Sequence, residues 1–318
     1  GPNCMGLLNT AEAVRLNGTF APMFPPSGNV AMSSQSGALG IAILDYATQH
    51  SIGISQFVSV GNKADVSGND LLLAWEDDPQ TDVITLYLES FGNPKKFSRL
   101  ARRIGRRKPI IAVKSGRTQA GSRAASSHTG ALASSDVAVN TLFRQAGVIR
   151  VDTLEEMFGT ASLLANQPVP KGPRVGIITN AGGPGILAVD SLESNGLEIV
   201  TLSQELQEKI GEALPEEAST SNPIDMIASG GPDHYEHVLS LLLDSGEVDA
   251  VIVIYVPTTP DGADQIAAAI RRCQDRYDGD VTLLSVFMHY ARTEEFLVGG
   301  EGQRTIPSYT FPETAALA

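Results

Sequence analysis

The sequence predicts an α/β protein made of two doubly wound domains with mainly parallel sheets, and three observations predict it. Apolar runs of strand length alternate with helix-patterned segments over residues 29–166, the mark of βα units whose strands are covered on both faces. The same alternation restarts at Arg174. Between the two, Asn166-Gln-Pro-Val-Pro-Lys-Gly-Pro173 carries three prolines and a glycine in eight residues, a composition that suits a linker. The expected division is therefore 1–166 and 174–318, joined by 167–173.

The first half opens its alternation with a strand at Asn29–Ser33, the turn Gln35-Ser-Gly-Ala-Leu-Gly40 and a helix over Ile41–Ala47. In that turn Ser36 and Gly37 stand where unpaired N–H groups of a helix start point at a ligand, and small residues let an anion approach. An ordinary helix cap fits the same residues. Further strands are expected at Gln56–Val60, Val83–Leu88, Pro109–Lys114 and Val148–Val151, with helices near 67–76, 94–106 and 135–146. Ligands of doubly wound sheets gather at the carboxyl ends of the strands, so Gly37, Gly61, Glu89 and Gly116, each just past a strand, are expected on one rim. Glu89 ends the apolar run Ile84–Leu88; it is a functional carboxylate or one that faces water. Thr153-Leu-Glu-Glu156 has the reciprocal capping pattern, and Met157–Leu164 continue that helix.

The second half repeats the theme with a strand at Arg174–Thr179, a glycine-rich turn Asn180-Ala-Gly-Gly-Pro-Gly185 and a helix over Ile186–Ser194. The turn has neither G-x-G-x-x-G spacing nor a Walker lysine, so it supports no cofactor claim, and Pro184 suits a first helical turn. More strands are expected at Glu198–Thr201, Ala250–Val256 and Val281–Phe287. Ser221-Asn-Pro-Ile-Asp-Met226 reads as a rim loop whose Asp225 bonds local amides or a ligand.

Composition narrows the function classes. The chain has 318 residues, 42% of them hydrophobic, with no apolar run near the ~18–20 residues of a membrane helix. Its formal charge of −13 argues against a nucleic-acid or anionic-membrane surface. Cys4 and Cys273 lie far apart without metal-ligand spacing, so neither a disulfide framework nor a metal site is expected, and a reducing cytoplasm is the simplest compartment. The start at Gly1, without a preceding strand–helix unit, leads us to expect a piece of a longer protein.

One stretch stands apart. Arg123-Ala-Ala-Ser-Ser-His-Thr-Gly-Ala-Leu-Ala-Ser-Ser-Asp136 places His128 among small, hydroxylic and flexible residues between the strand at 109–114 and the helix that follows. Taken alone, His128 fits a solvated loop residue or a reactive one carried between two places.

Gly1-Pro-Asn-Cys-Met-Gly6, Ser34-Gln-Ser-Gly-Ala-Leu39, Asp77-Asp-Pro-Gln80, Glu89 and above all Ser127-His-Thr-Gly130 resemble the α-subunit of succinyl-CoA synthetase and its relatives, the ADP-forming acyl-CoA synthetases. Asn-Ala-Gly-Gly at 180–183 and Asn-Pro-Ile-Asp at 222–225 bring it nearest to the ADP-forming acetyl-CoA synthetase type, which adds a second flavodoxin-like domain. The resemblance implies two flavodoxin-like, succinyl-CoA-synthetase-like domains, the first carrying the phosphohistidine loop. It implies that His128 is phosphorylated in catalysis, that Glu89 pairs with its ring, and that amides near Ser36, Gly37 and Ala38 hold the phosphoryl group. Asn3, Gly61, Asn62 and Gly130 are the matching candidates for a CoA or acyl-phosphate contact at the rim. CoA, ATP or ADP and Mg²⁺ are the implied ligands, with nucleotide and Mg²⁺ expected mainly on an ATP-grasp domain or subunit. That portion, an N-terminal CoA-binding domain and a small carboxylic acid or its acyl-CoA are the implied partners, and an oligomer is expected.

The residue types suit that chemistry. A neutral imidazole is nucleophilic near pH 7 and its phosphoramidate is reactive enough to pass phosphate onward, whereas a serine ester would be too inert. A carboxylate that accepts the other ring N–H fixes the tautomer and steadies the positive charge that develops as nitrogen gains phosphorus. Two other classes fit the same fold: the acyl-CoA-synthetase-like regulatory half of a protein lysine acetyltransferase, in which the reactive histidine is typically replaced, and a nonenzymatic ligand-binding module. His128 and Glu89 argue against the first.

Overall fold

In the computed structural model, which describes residues 2–121, 123–124, 135–257, 262–288, 294–300 and 303–318, the chain divides into two units, 1–161 and 162–318. The division falls inside a helix, and the proline-rich stretch 167–173 lies wholly in the second unit.

The first unit runs β1 (Gly6–Asn9), β2 (Leu16–Thr19), β3 (Ser27–Ser34), α1 (Gly37–Gln49), β4 (Ile54–Ser59), α2 (Gly68–Glu76), β5 (Val83–Leu88), α3 (Pro94–Ile104), β6 (Ile110–Lys114), α4 (Asp136–Ala146), β7 (Ile149–Val151) and α5 (Leu154–Asn166). Among the described residues its strands form one sheet in the order β2-β1-β4-β3-β5-β6-β7. From β4 to β7 every pairing is parallel. β1 is antiparallel to both β2 and β4, so this sheet is mixed, and the hairpin at its edge has no counterpart in the expected elements.

The strands form because they are apolar and β-branched where both faces are covered. β6 is buried at every position, and β5 at all but Tyr87. One face packs α2, α3 and α4 through Leu72, Trp75, Phe97, Leu100, Val139 and Phe143. In α3 the buried positions Phe97, Leu100, Ala101 and Ile104 follow helical spacing, the side chain of Asn93 accepts the Lys96 N–H at 2.9 Å, and Pro94 occupies the first turn. At α5 the cap differs slightly from the expected reciprocal pair. Thr153 Oγ1 accepts the Glu156 N–H at 3.1 Å, but Glu156 Oε2 reaches back to the N–H of Asp152, not of Thr153.

The second unit runs β8 (Arg174–Thr179), α6 (Gly182–Ser194), β9 (Glu198–Ile199), α7 (Gln204–Gly211), β10 (Ile224–Asp225), α8 (Pro232–Asp244), β11 (Ala250–Tyr255), α9 (Gly262–Arg276), β12 (Thr282–Phe287), α10 (Glu294–Leu297), β13 (Ser308–Tyr309) and α11 (Pro312–Leu317). Its sheet is all parallel, ordered β10-β8-β11-β12-β13, with β9 also beside β8. β11 and β12 are buried throughout.

Two glycine-bearing segments expected as turns are the opening of helices. α1 begins at Gly37 rather than Ile41, and α6 begins at Gly182 rather than Ile186. Close packing outweighs the poor helix propensity of glycine at these starts. A Cβ at Gly185 would sit 3.3 Å from Thr179 Cγ2, and one at Gly37 would sit 3.3 Å from the Met5 nitrogen. The 221–226 loop contains a cis Asn222–Pro223 bond, and Asp225 Oδ1 accepts the Ile227 N–H at 2.9 Å, so its bond is to a local amide. Among the described residues, no helix is long and apolar enough to cross a membrane.

Candidate active site

The parallel core of the first sheet reverses direction at β3. The chain goes from β3 outward to β4, then crosses over to β5 on β3's other side and continues to β6 and β7. A crevice opens at such a switch point beyond the carboxyl ends of the strands. Ser34 of β3 pairs with Tyr87 of β5, so the residues that follow each strand, Gln35 to Gly37 and Glu89 to Ser90, emerge side by side.

On the β3 side, Ser36 caps α1 by accepting the Leu39 N–H at 3.3 Å. The N–H groups of Gly37 and Ala38, the first two of the helix, have no acceptor within it and carry the positive end of its dipole. On the β5 side, buried Gln35 grips the corner: its Oε1 accepts the N–H of Glu89 at 2.6 Å and of Ser90 at 2.7 Å. Glu89 Oε2 is buried and, among the described residues, without a hydrogen-bond partner, a costly state for a carboxylate oxygen unless a donor arrives.

The β4 end completes this rim. Gly61 adopts a left-handed φ of 51°, and a Cβ there would lie 2.4 Å from the Asn3 carbonyl oxygen and 2.6 Å from that of Pro2. The Asn62 N–H donates to Pro2 O at 3.2 Å, and Asn3 Nδ2 to Asn62 Oδ1 at 3.3 Å. Asn3, Gly61 and Asn62 thus come together, with the Cys4–Met5 backbone running on to Gly37. Gly61→Ala is expected to cost about 2–3 kcal/mol of unfolding free energy in urea titration, because it adds both a left-handed strain and a backbone clash. A loss below ~0.5 kcal/mol would show that Pro2–Asn3 is not held there.

Two lysines enter the site that sequence patterns did not single out. Lys63 donates from Nζ to Ser90 O and to Ser90 Oγ, both at 2.7 Å. Burial pushes its ammonium down to about 8, against an opposing pull from Glu89 and with a further push from Lys114. Lys114, which ends β6 and is itself buried, is lowered by burial first, with Asp136 and Glu89 pulling it up and Arg150 pushing it down. Lys114 Nζ donates to Ser115 O. The signal that marked Glu89, a charge ending an apolar run, is present at Lys114 too.

His128 and Gly130 lie outside the described residues. The segment that carries them leaves the sheet after β6, whose next residue Ser115 donates its N–H to Leu88 O at 2.9 Å, and rejoins the described chain at α4. There Asp136 pairs with Arg150 at 2.7 Å. Among the described residues no group of three or more His, Cys, Asp or Glu side chains could hold a metal ion.

The second sheet has a matching switch point between β8 and β11. There Asn180, only 2% exposed, spans the gap: its Nδ2 donates to Val256 O and its Oδ1 accepts the Val256 N–H, both at 2.8 Å. A buried side-chain amide therefore spans the crevice in each unit, Gln35 in the first and Asn180 in the second.

Residues 27–164 match the succinyl-CoA ligase-like flavodoxin domain, and residues 175–272 the Ligase-CoA domain. The α subunit of ADP-forming acetate–CoA ligase II from Pyrococcus furiosus is 39% identical over the whole chain, which covers 69% of that subunit. The ADP-forming acetate–CoA ligase of Methanocaldococcus jannaschii is 45% identical over 73% of the chain and 33% of its own length. Among solved structures, the dinucleotide-forming acetyl-coenzyme A synthetase 1 of Ca. Korarchaeum cryptofilum, in complex with phosphate and ADP, superposes with a TM-score of 0.92 at 37% identity, over all of this chain and 68% of that one. Fold and matched domains define an α/β protein of the succinyl-CoA ligase class. Within that class, the chain belongs to the family of ADP-forming acetate–CoA ligases, as its α-subunit-like portion.

Proposed function

We propose that the chain is the phosphate-relay portion of an ADP-forming acyl-CoA synthetase, which interconverts acyl-CoA, ADP and phosphate with a carboxylic acid, CoA and ATP. The observation that carries this reading is the rim itself: a buried carboxylate oxygen on Glu89, unpartnered among the described residues, on the same rim as the first amides of α1, which have no acceptor within the helix, with the His128 segment following the neighbouring strand in the chain.

In this reading phosphate displaces the CoA thiol from the acyl carbon, breaking C–S and forming a C–O–P link, with the proton passing to the thiolate. An imidazole nitrogen of His128 then donates its lone pair to phosphorus while the P–O bond breaks toward the departing carboxylate. Glu89 accepts the other ring N–H and keeps the attacking nitrogen's lone pair free. The Gly37 and Ala38 N–H groups offer fixed partial positive charge to the phosphoryl oxygens, an effect of about 0.3–2 kcal/mol for helix ends. A terminal oxygen of ADP finally takes the phosphoryl group and returns a neutral imidazole. Asn3, Gly61, Asn62 and Gly130 are assigned to the acyl-CoA or acyl-phosphate side of the rim. Mg²⁺ would neutralise nucleotide charge on an ATP-grasp partner portion, a β-type subunit or domain, and the CoA-binding portion is the second expected partner. A cytoplasmic site suits these substrates.

The test is labelling. The chain assembled with its ATP-grasp portion, given MgATP or acyl-CoA plus phosphate, is expected to acquire one acid-labile, base-stable phosphoryl group on the peptide containing His128. A label on any other residue, or none under either condition, would refute the relay.

A further inference from the structure

Lys63 occupies a backbone position that its side chain makes costly. Its φ is 54°, directly after Gly61 at 51° and exposed Asn62, and a branched-at-nothing but Cβ-bearing residue in the left-handed region is disfavoured by about 1–2 kcal/mol relative to glycine. Strain of this kind persists where surrounding structure fixes it, and here the fixing is visible. The Lys63 N–H donates to Val60 O at 3.0 Å, and the ammonium donates to both Ser90 oxygens.

The Glu89–Ser90 corner is thereby held from two directions. Gln35 takes its two N–H groups, and Lys63 takes the Ser90 carbonyl and hydroxyl. The corner's own side chain is left open: neither Lys63 nor Lys114 comes within ion-pair distance of Glu89 among the described residues, although both interact with it electrostatically. Two positive charges therefore flank one carboxylate without consuming its buried oxygen.

We propose that Lys63 is a positioning residue for the relay: by gripping the Ser90 carbonyl and hydroxyl it fixes the end of β5, and so the place of Glu89 on the rim. This rests on the assignment of His128 and Glu89 to phosphoryl transfer. Charged groups facing Lys63 are Glu89 at the end of β5 and Lys114 at the end of β6; behind Lys114 stand Asp136 of α4 and Arg150 of β7. α2 and α3 bring uncharged Asn69 and Phe97 to the same small cavity.

The sign of the pH effect follows. With the Lys63 ammonium at about 8, its charge is present at neutral pH and lost as pH rises through that value, and its charge-assisted hold on the Ser90 carbonyl and hydroxyl weakens with it. In the assembled enzyme, single-turnover phosphorylation of His128 from acyl-CoA plus phosphate is expected to fall along an alkaline limb near pH 8. Lys63→Met should slow the step roughly tenfold at pH 7, the worth of about one pKa unit of charge interaction, and remove that limb. Lys63→Arg, which stays charged, should restore much of the rate and carry the limb above pH 9. Melting temperatures of all three proteins separate these effects from unfolding. A Lys63→Met protein with wild-type rate, or a limb that stays near pH 8 in Lys63→Arg, would overturn the assignment of Lys63 alone. No phosphohistidine in the wild type at any pH would instead remove the relay on which it rests.

Discussion

Replacing His128 with alanine is expected to lower ATP formation from acyl-CoA, ADP and phosphate by on the order of 10⁴-fold or more, the scale seen when a covalent nucleophile is deleted. The melting temperature should stay near wild type, since small and hydroxylic neighbours surround this residue in sequence. The loss should be confined to one half of the reaction. In the proposed relay acyl phosphate forms before the imidazole acts, so hydroxylamine trapping should still collect phosphate-dependent acyl hydroxamate from the variant when acyl-CoA and phosphate are supplied. Loss of hydroxamate together with ATP would place His128 in the acyl step; ATP formation persisting in His128→Ala would move the relay to another residue.

The architecture was legible wherever apolar runs were long enough to show a period. β5 and β6 stand out because both faces of their strands are buried, and their ends mark Glu89 and, by the same logic, Lys114. Local pattern fails where a tertiary neighbour decides. Lys63 lies in a loop of polar and glycine residues, and nothing near it in sequence shows that its ammonium meets Ser90, 27 positions away; lysine is by default a solvated residue. The glycine-rich openings of α1 and α6 read as turns because glycine disfavours helix, and only the neighbours Met5 and Thr179 show that a side chain at Gly37 or Gly185 would be crowded. The β1–β2 hairpin has four-residue strands with a mostly exposed second member, too short to show alternation. α8 is not among the expected elements, although its sequence carries the signal: Pro232 opens it, and Tyr235, Val238, Leu239 and Leu242 follow helical spacing.

Glu89→Gln is the sharper test of the rim, because it is nearly isosteric and removes only charge. Gln35 binds the main-chain N–H groups of Glu89 and Ser90, and Lys63 binds Ser90, so the corner's supports do not involve the carboxylate. Among the described residues its buried oxygen makes no hydrogen bond that the amide would break. The fold should therefore be unaffected, and the melting temperature should change by no more than a degree or two, about what a surface-like substitution gives. A side-chain amide oxygen can still accept the imidazole N–H, so the tautomer is retained in part. In the proposed relay, what disappears is the negative charge that steadies the imidazolium as phosphorus bonds to nitrogen, and Lys63 loses the opposing pull of Glu89. Loss of one preorganised electrostatic partner costs on the order of 10²-fold, and rapid-quench measurement of His128 phosphorylation should show a decrease of that size. The rate at which CoA is released in forming acyl phosphate should change far less. A Glu89→Gln enzyme that phosphorylates His128 at the wild-type rate would return Glu89 to the role of a rim carboxylate facing water.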